Sequence, residues 1–216
     1  RDLMYYRVME SSLFEPLKRN LPVQKRAKDK YQLILVTACS ILEEKGFSGL
    51  STREISRRAE CNIATVYRYF DGVNDIIKAL GDPFFAGVSS LFDYMSSLLI
   101  NGDSLDSVIR FFLQELTNEI AENRWILHAE AGIMTDKDLM AWDSQLMKAI
   151  EIKLSDVLAM ALRDKPKDEL QVISYRLVRH WKSFMRVLIE YENLDETAWL
   201  IIDTTHTSIA LVKADI

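Results

Sequence analysis

The chain has 216 residues, of which 49% are hydrophobic and 27% charged, the balance of an ordinary globular protein. Its 7 Gly and 4 Pro are too few for a β-rich fold with many tight turns, and no apolar run approaches the roughly 20 residues that span a bilayer. The 2 Cys have no CxxC spacing, which favours a reducing, cytoplasmic setting over a disulfide framework.

The net charge of −5 is unevenly distributed along the chain. Residues 1–80 hold 14 Lys and Arg against 10 Asp and Glu, whereas residues 81–216 hold 13 against 22. A basic segment ahead of an acidic remainder is the asymmetry expected of a nucleic-acid-binding module attached to a separate body.

The first 27 residues form an extension with two open interpretations. Leu3, Tyr6, Met9 and Leu13 fall on one helical stripe ahead of Pro16, so residues 1–17 form either an extra docking helix or a tail. Residues 18–30 are rich in Lys and Arg, and they form either an arm along a DNA backbone or a solubilising linker.

Residues 28–80 are predicted to form a small helical domain. Apolar side chains at helical spacing predict a first helix from about Lys28 to Lys45, ended by Gly46. Ser51 is a good N-cap with Glu54 three residues on, the spacing of a capping box. Asn62 then caps another short helix.

Each of the two short helices has one apolar face that is predicted to be buried and an opposite face that is predicted to be exposed. Ile55 and Ala59 form the apolar stripe of the first of them, and Val66 and Phe70 that of the second. Two helices of this length joined by a tight turn are typical of a helix-turn-helix, whose second helix enters a DNA major groove.

The side chains left outside the stripes suit nucleic acid. Arg53, Arg57, Arg58 and Arg68 offer charge for phosphates; the alternative, a solvated helix pair with ordinary surface arginines, accounts less well for the cap, the turn and the aromatic-basic run occurring together in one stretch. The predicted DNA contacts are Lys30, Thr52, Arg53, Asn62, Ile63, Ala64, Thr65, Tyr67 and Tyr69.

Residues 50–59 (LSTREISRRA) and 65–70 (TVYRYF), with the preceding helix and the Gly46-Phe47 turn, resemble the DNA-binding domain of the TetR family of bacterial transcriptional regulators. The similarity covers roughly residues 28–80. Glu60, Ala64 and Val73 stand where the family commonly has Gly, Gly and a phosphate-contacting Lys.

Residues 81–216 read as an all-α body. A fourth helix from about Asn74 is predicted to break or kink at Gly81-Asp82-Pro83. Further helices are predicted over 83–100, 104–122, 124–133, 136–163, 168–192 and 195–213. The resulting expectation is an all-α fold with an N-terminal helix-turn-helix domain and a larger helical domain at 81–216.

The resemblance implies a small-molecule pocket and a dimer interface in the larger domain. Candidate pocket residues are Phe85, Phe92, Phe111, Phe112, Trp125, His128, Met147, Tyr175 and Arg179, most of which would otherwise simply fill a helical core. Candidate dimer contacts are Trp181, Phe184, Met185, Leu188, Trp199, Ile202 and His206, unless the last two helices only close the monomer core.

Catalytic patterns are absent from the sequence. The three histidines are far apart, and no P-loop, GxGxxG or GxSxG occurs. We therefore expect no enzyme activity, no cofactor, no metal site and no membrane association. The predicted function is a repressor that binds a palindromic DNA operator as a homodimer and is released by an apolar or amphipathic effector. The alternative is a protein of the same fold that acts mainly through protein partners.

Overall fold

The computed structural model describes residues 24–188 and 198–213, and all regular structure in these ranges is helical, as predicted. The predicted stripe at residues 1–17 and the end of the predicted helix 168–192 lie outside the described residues. The helices are α1 (Lys25–Lys45), α2 (Thr52–Arg58), α3 (Ile63–Tyr69), α4 (Val73–Ile100), α5 (Leu105–Glu122), α6 (Trp125–Ile133), α7 (Lys137–Ala161), α8 (Lys167–Val187) and α9 (Ala198–Lys213). A 3-10 turn, Phe47–Gly49, joins α1 to α2.

The chain divides into two compact units. Of the described residues, the first unit takes 24–86 together with 124–143, and the second takes 87–123, 144–188 and 198–213. Residues 124–143, which the sequence analysis placed in the larger domain, therefore group with the N-terminal helices.

The first unit is built on the buried face of α1. Ile34, Ala38 and Ile41 are completely buried there, because their spacing puts them on one side of the helix. Gly46 ends α1 as predicted: its φ of 65° is open to glycine without strain, and its N–H donates to the Leu42 carbonyl at 2.8 Å.

The predicted break at Gly81-Asp82-Pro83 is wrong, because α4 continues through Pro83 to Ile100. A proline inside a helix costs roughly 3 kcal/mol. The flanking Leu80 and Phe84 are both buried, and burial of each large apolar side chain returns roughly 1.5–3 kcal/mol. Tertiary packing therefore overrides the local signal. By length and composition alone, α4 is long and apolar enough to cross a membrane, a test that the core helix of a soluble protein also passes.

The second unit has an aromatic core. The Phe92 and Phe112 rings stack with centroids 5.1 Å apart, and Phe112 lies 4.6 Å from the Trp181 ring. The Trp181 indole N–H donates to the Ser208 hydroxyl at 2.9 Å, so its one polar atom is satisfied inside the core. Helix α9 packs on both α5 and α8 in this unit.

Candidate nucleic-acid interface

Helix α2 begins as the sequence predicts. The Ser51 hydroxyl accepts a hydrogen bond from the Glu54 N–H at 3.1 Å, and Ile55 and Ala59 face the core. The reciprocal half of the capping box is replaced by other contacts, since the Glu54 carboxylate accepts from three basic side chains instead. The helix is therefore anchored by one cap bond and by its buried stripe.

The turn between α2 and α3 has a left-handed residue. Glu60 has a φ of 47°, a conformation that L residues with a Cβ rarely adopt. Two bonds hold the turn: the Cys61 N–H donates to the Ser56 carbonyl at 3.1 Å, and the Ser56 hydroxyl donates to the Cys61 carbonyl at 2.6 Å. The Asn62 side chain then accepts from the Ala64 N–H at 2.9 Å and so caps α3, as predicted.

Helix α3 keeps its predicted inner face. Val66 and Phe70 are buried, while Tyr67 remains 52% exposed. Tyr69 is half-buried rather than free, because its ring meets the Tyr31 ring edge-on at 5.9 Å. The exposed side of α3 therefore presents a short hydrophobic and hydroxyl-bearing surface at the N-terminal end of the helix and a phenol further on.

The Glu54 carboxylate binds three basic side chains, two from α2 and one from the end of α1. Glu54 accepts from both Arg57 Nε at 2.8 Å and Arg58 Nε at 2.9 Å, and Lys45 Nζ lies 3.2 Å away. These cations hold the pKa of the Glu54 carboxyl far below its usual range. Arg58 also donates to Glu44, and that bond lowers the pKa of the Glu44 carboxyl.

The arginine pairing separates Arg53 from its neighbours. Arg57 and Arg58, which the sequence analysis offered to phosphates, are committed to carboxylates on α1 and α2. Arg53 is exposed, and the ion pairs of the described residues do not include it. The i+3 and i+4 spacing of Glu54 to the two arginines was a readable signal for this pairing.

The predicted DNA-contacting residues all lie on α1, on α2 and α3, or at the N-cap of α3, but their side chains differ in exposure. Arg53, Asn62, Ile63, Ala64 and Tyr67 are exposed, and Lys30, Thr52, Thr65 and Tyr69 are half-buried. The Thr52 and Tyr67 hydroxyl oxygens lie 3.1 Å apart, which joins the outer faces of α2 and α3. This pairing was not foreseen.

The turn that joins α1 to α2 packs against α6 within the first unit. A Cβ added at Gly132 would fall 2.0–2.2 Å from three atoms of the Phe47 ring, so the ring lies directly against the α6 backbone. The start of α4 is tied to the start of α7 by polar bonds: Asn74 donates to Asp136 at 3.0 Å, and Lys78 pairs with Asp138 at 2.5 Å. No local pattern in the sequence predicts these contacts, because they join segments that are distant along the chain.

The candidate pocket residues are not all brought together. Phe92, Phe112 and Met147 are buried in the second unit, and Phe111 is half-buried beside Tyr94. Phe85, Trp125 and His128 belong to the first unit instead. Tyr175 and Arg179 lie on the exposed side of α8, where the guanidinium stacks on the phenol ring.

A groove of about 180 Å³ in the second unit lies between α4 and α7. Of the candidate pocket residues, Phe92 lines it, together with the Asp93–Lys153 ion pair at 3.2 Å. Among the described residues, no group of His, Cys, Asp and Glu side chains is placed to hold a metal ion.

The candidate dimer contacts divide by burial. Trp181, Phe184 and Leu188 are at most 4% exposed in the single chain, so they fill the core of the second unit rather than its surface. Met185 is half-buried. Trp199, at 56% exposure, and Ile202, at 46%, point outward together with His206. The surface that remains for a partner is thus the outer side of α8 and α9.

Residues 34–80 match the model of the bacterial regulatory proteins of the tetR family. A curated relative, a probable HTH-type transcriptional regulator from Bacillus subtilis, is 29% identical over 90 residues. That alignment covers 42% of this chain and 42% of the relative, so the chain matches less than half of the relative's length.

Solved structures share the fold across most of the chain. A tetR-family regulator from Mesorhizobium loti has a TM-score of 0.65 at 15% identity, covering 88% of this chain and 98% of its own. The transcriptional regulator FadR from Bacillus subtilis, solved in complex with stearoyl-CoA, has a TM-score of 0.63 at 14% identity, with 84% and 97% covered. At these identities the likeness concerns the fold.

Proposed function

We propose that the chain, whose residues 34–80 match the model of the bacterial regulatory proteins of the tetR family, represses transcription as a homodimer on a palindromic DNA operator. An apolar or amphipathic small molecule releases it. The domain supplies the DNA-binding part of this proposal.

The exposed side of α3 carries the proposal. A recognition helix reads the major groove mainly with its N-terminal residues, and Ile63 and Ala64 are exposed there beside the half-buried Thr65. Methyl groups on these three side chains suit contact with thymine methyls, and the Thr65 hydroxyl suits either a donor or an acceptor on a base edge. Arg53 adds an uncommitted guanidinium for guanine or phosphate.

The outer side of α8 and α9 is the proposed dimer surface. Val172 and Tyr175 on α8 are about half exposed, as are Trp199 and Ile202 on α9. Aromatic side chains are enriched at subunit interfaces, and the buried core of an interface is more apolar than the rest of the surface. A two-fold dimer presents two reading helices to the half-sites of an inverted repeat, which explains why the operator is proposed to be palindromic.

The proposed effector is a fatty-acid-like molecule, such as an acyl thioester. The core of the second unit contains Phe92, Met95, Phe112 and Trp181, and side chains of these types line adaptable apolar cavities in many proteins. The structural relative from Bacillus subtilis holds stearoyl-CoA, which supports an effector with a long apolar chain and a polar head. A ligand lowers DNA affinity only if it binds the released state more tightly than the DNA-bound state.

The test is selection of binding sites from a random duplex library with the purified chain. We expect enrichment of one inverted-repeat motif, with a complex mass of two chains per duplex in sedimentation. Arg53→Ala should weaken binding to the selected duplex by about 1–3 kcal/mol if the guanidinium reads a guanine. Enrichment of no motif, with binding that only follows salt concentration, would overturn the proposal and favour a partner-binding role.

The effector part is tested on the selected duplex. Stearoyl-CoA should displace the protein, whereas coenzyme A without the acyl chain is the matched control and should not. Displacement by neither compound would remove acyl thioesters and leave the DNA-binding proposal intact.

A further inference from the structure

Among the residues that the structure describes, Glu151 on α7 is the one charged side chain that is buried, at 6% exposure. Each of its carboxylate oxygens faces one cation: Arg179 Nη2 lies 3.3 Å from Oε1, and Lys148 Nζ lies 3.4 Å from Oε2. A carboxylate removed from water is costly unless such partners compensate it. The pair with Arg179 therefore joins α7 to α8 inside the second unit.

The guanidinium of Arg179 also contacts an aromatic ring. Its Cζ lies 5.0 Å from the centroid of the Tyr175 ring, one helical turn earlier on α8. Tyr175 is 52% exposed, and Val172, at 49%, precedes it by one turn. The contacts thus run from a buried carboxylate through a guanidinium to a phenol ring at the surface, and the ring is covered by its own chain on one face.

This arrangement orients the Tyr175 ring before any partner arrives. A side chain that is already held in place loses less conformational entropy when a partner covers it. A guanidinium fixed by a buried carboxylate restricts the ring that it covers. Tyrosine and arginine are also among the residue types that dominate the free energy of protein–protein interfaces. The contact is therefore preorganised on the side of α8 that the proposed dimer buries.

We infer that Glu151 is a positioning residue for the subunit interface: through Arg179, it holds the Tyr175 ring in the orientation that meets a second copy of this chain. This inference rests on the proposed homodimer and goes beyond it, because Glu151 lies on α7 and is buried in its own subunit. It also gives Tyr175 and Arg179, both candidate pocket residues in the sequence analysis, a role at the surface of the second unit.

The experiment is a double-mutant cycle on the full chain, with the dimer dissociation constant measured by sedimentation equilibrium. The variants are Glu151→Gln, Tyr175→Ala and the double variant. Tyr175→Ala should weaken the dimer by about 30-fold or more, the effect of truncating a dominant interface residue. Glu151→Gln should weaken it by about two- to fivefold, the value of an exposed cation–π contact.

Lys148→Gln is the matched control, because it removes the other cation from the same carboxylate. The Lys148 side chain is 66% exposed, and it pairs with the oxygen that Arg179 does not use. The guanidinium keeps its own oxygen in this variant, so the Tyr175 ring stays covered. Lys148→Gln should therefore dimerise like wild type.

The cycle separates positioning from a purely structural role. If Glu151 acts through the ring, Glu151→Gln should have no further effect in the Tyr175→Ala background. Arg179→Gln, at a more exposed position, should show the same non-additivity and replaces Glu151→Gln if that variant does not fold. An equal loss in both backgrounds, or undiminished dimerisation of Glu151→Gln, would overturn the inference. A wild-type chain that stays monomeric at every concentration would instead overturn the proposed homodimer.

Discussion

Glu60 is the position where a single substitution should most clearly raise stability. Its φ of 47° places a Cβ-bearing residue in the left-handed region, at a cost of roughly 1–2 kcal/mol. Glycine removes this cost, but it also gives the unfolded chain more conformational entropy, which lowers the stability of the folded state by roughly 0.4–1 kcal/mol. Glu60→Gly should therefore raise the free energy of unfolding by about 0.5–1 kcal/mol.

The assay is urea unfolding followed by circular dichroism, with two controls. Glu60→Ala keeps a Cβ in the same backbone conformation and removes the charge, so it should give no gain. Glu43→Gly, at an exposed site within α1, should cost about 0.5–1 kcal/mol, since glycine disfavours a helix interior. The reasoning is refuted if Glu60→Ala stabilises as much as Glu60→Gly, because the effect would then belong to the charge.

Three further perturbations test other contacts. Because the folded-state pKa of Glu54 is lowered, its contribution to stability is complete well above its ordinary value of 4.5 and is lost as the pH falls below it. Glu54→Gln should thus be less stable than wild type at pH 7, and the difference should shrink in acid; a pH-independent difference in urea would contradict this. Gly132→Ala should cost about 1–3 kcal/mol by overpacking against Phe47, whereas Gly87→Ala, where an added Cβ meets nothing within 4 Å, should be neutral or stabilising in thermal unfolding. Trp199→Glu should leave the helical content unchanged and give a monomer in sedimentation equilibrium; a dimer of undiminished affinity would remove Trp199 from the interface.

The caps of α2 and α3 and the turn between these helices could be predicted from the sequence, because each depends on residues close together in the chain. Ser51 and Asn62 each bond an N–H two or three residues away, and Gly46 answers a backbone requirement at its own position. Such features need only propensity and spacing, so one sequence is enough to place them.

Features that depend on distant segments did not follow. Pro83 lies inside α4 because surrounding side chains are buried, and the local pattern at that position favours a break. The Phe47 ring packs against Gly132, which lies in α6, far along the chain. Neither residue type predicts a contact with the other. Tertiary packing decides both cases.

The candidate pocket and dimer residues show a second limit. An apolar stripe on a helix has the same periodicity whether it faces its own core or a partner subunit. Trp181 and Trp199 both belonged to the predicted interface, yet the first is 4% and the second 56% exposed. Trp181 is buried by its contacts with Phe112 of α5 and Ser208 of α9, which the stripe on α8 alone does not predict.

The most direct test of the account is to repeat the binding-site selection with Thr65→Asn beside wild type. If the exposed side of α3 reads base edges, the variant should select a changed base pair at one matching position in both half-sites, with adenine favoured because the Asn amide pairs with its edge. The remaining positions of the motif should stay the same. Identical motifs from the two proteins, at equal affinity, would contradict the claim that this helix specifies the operator.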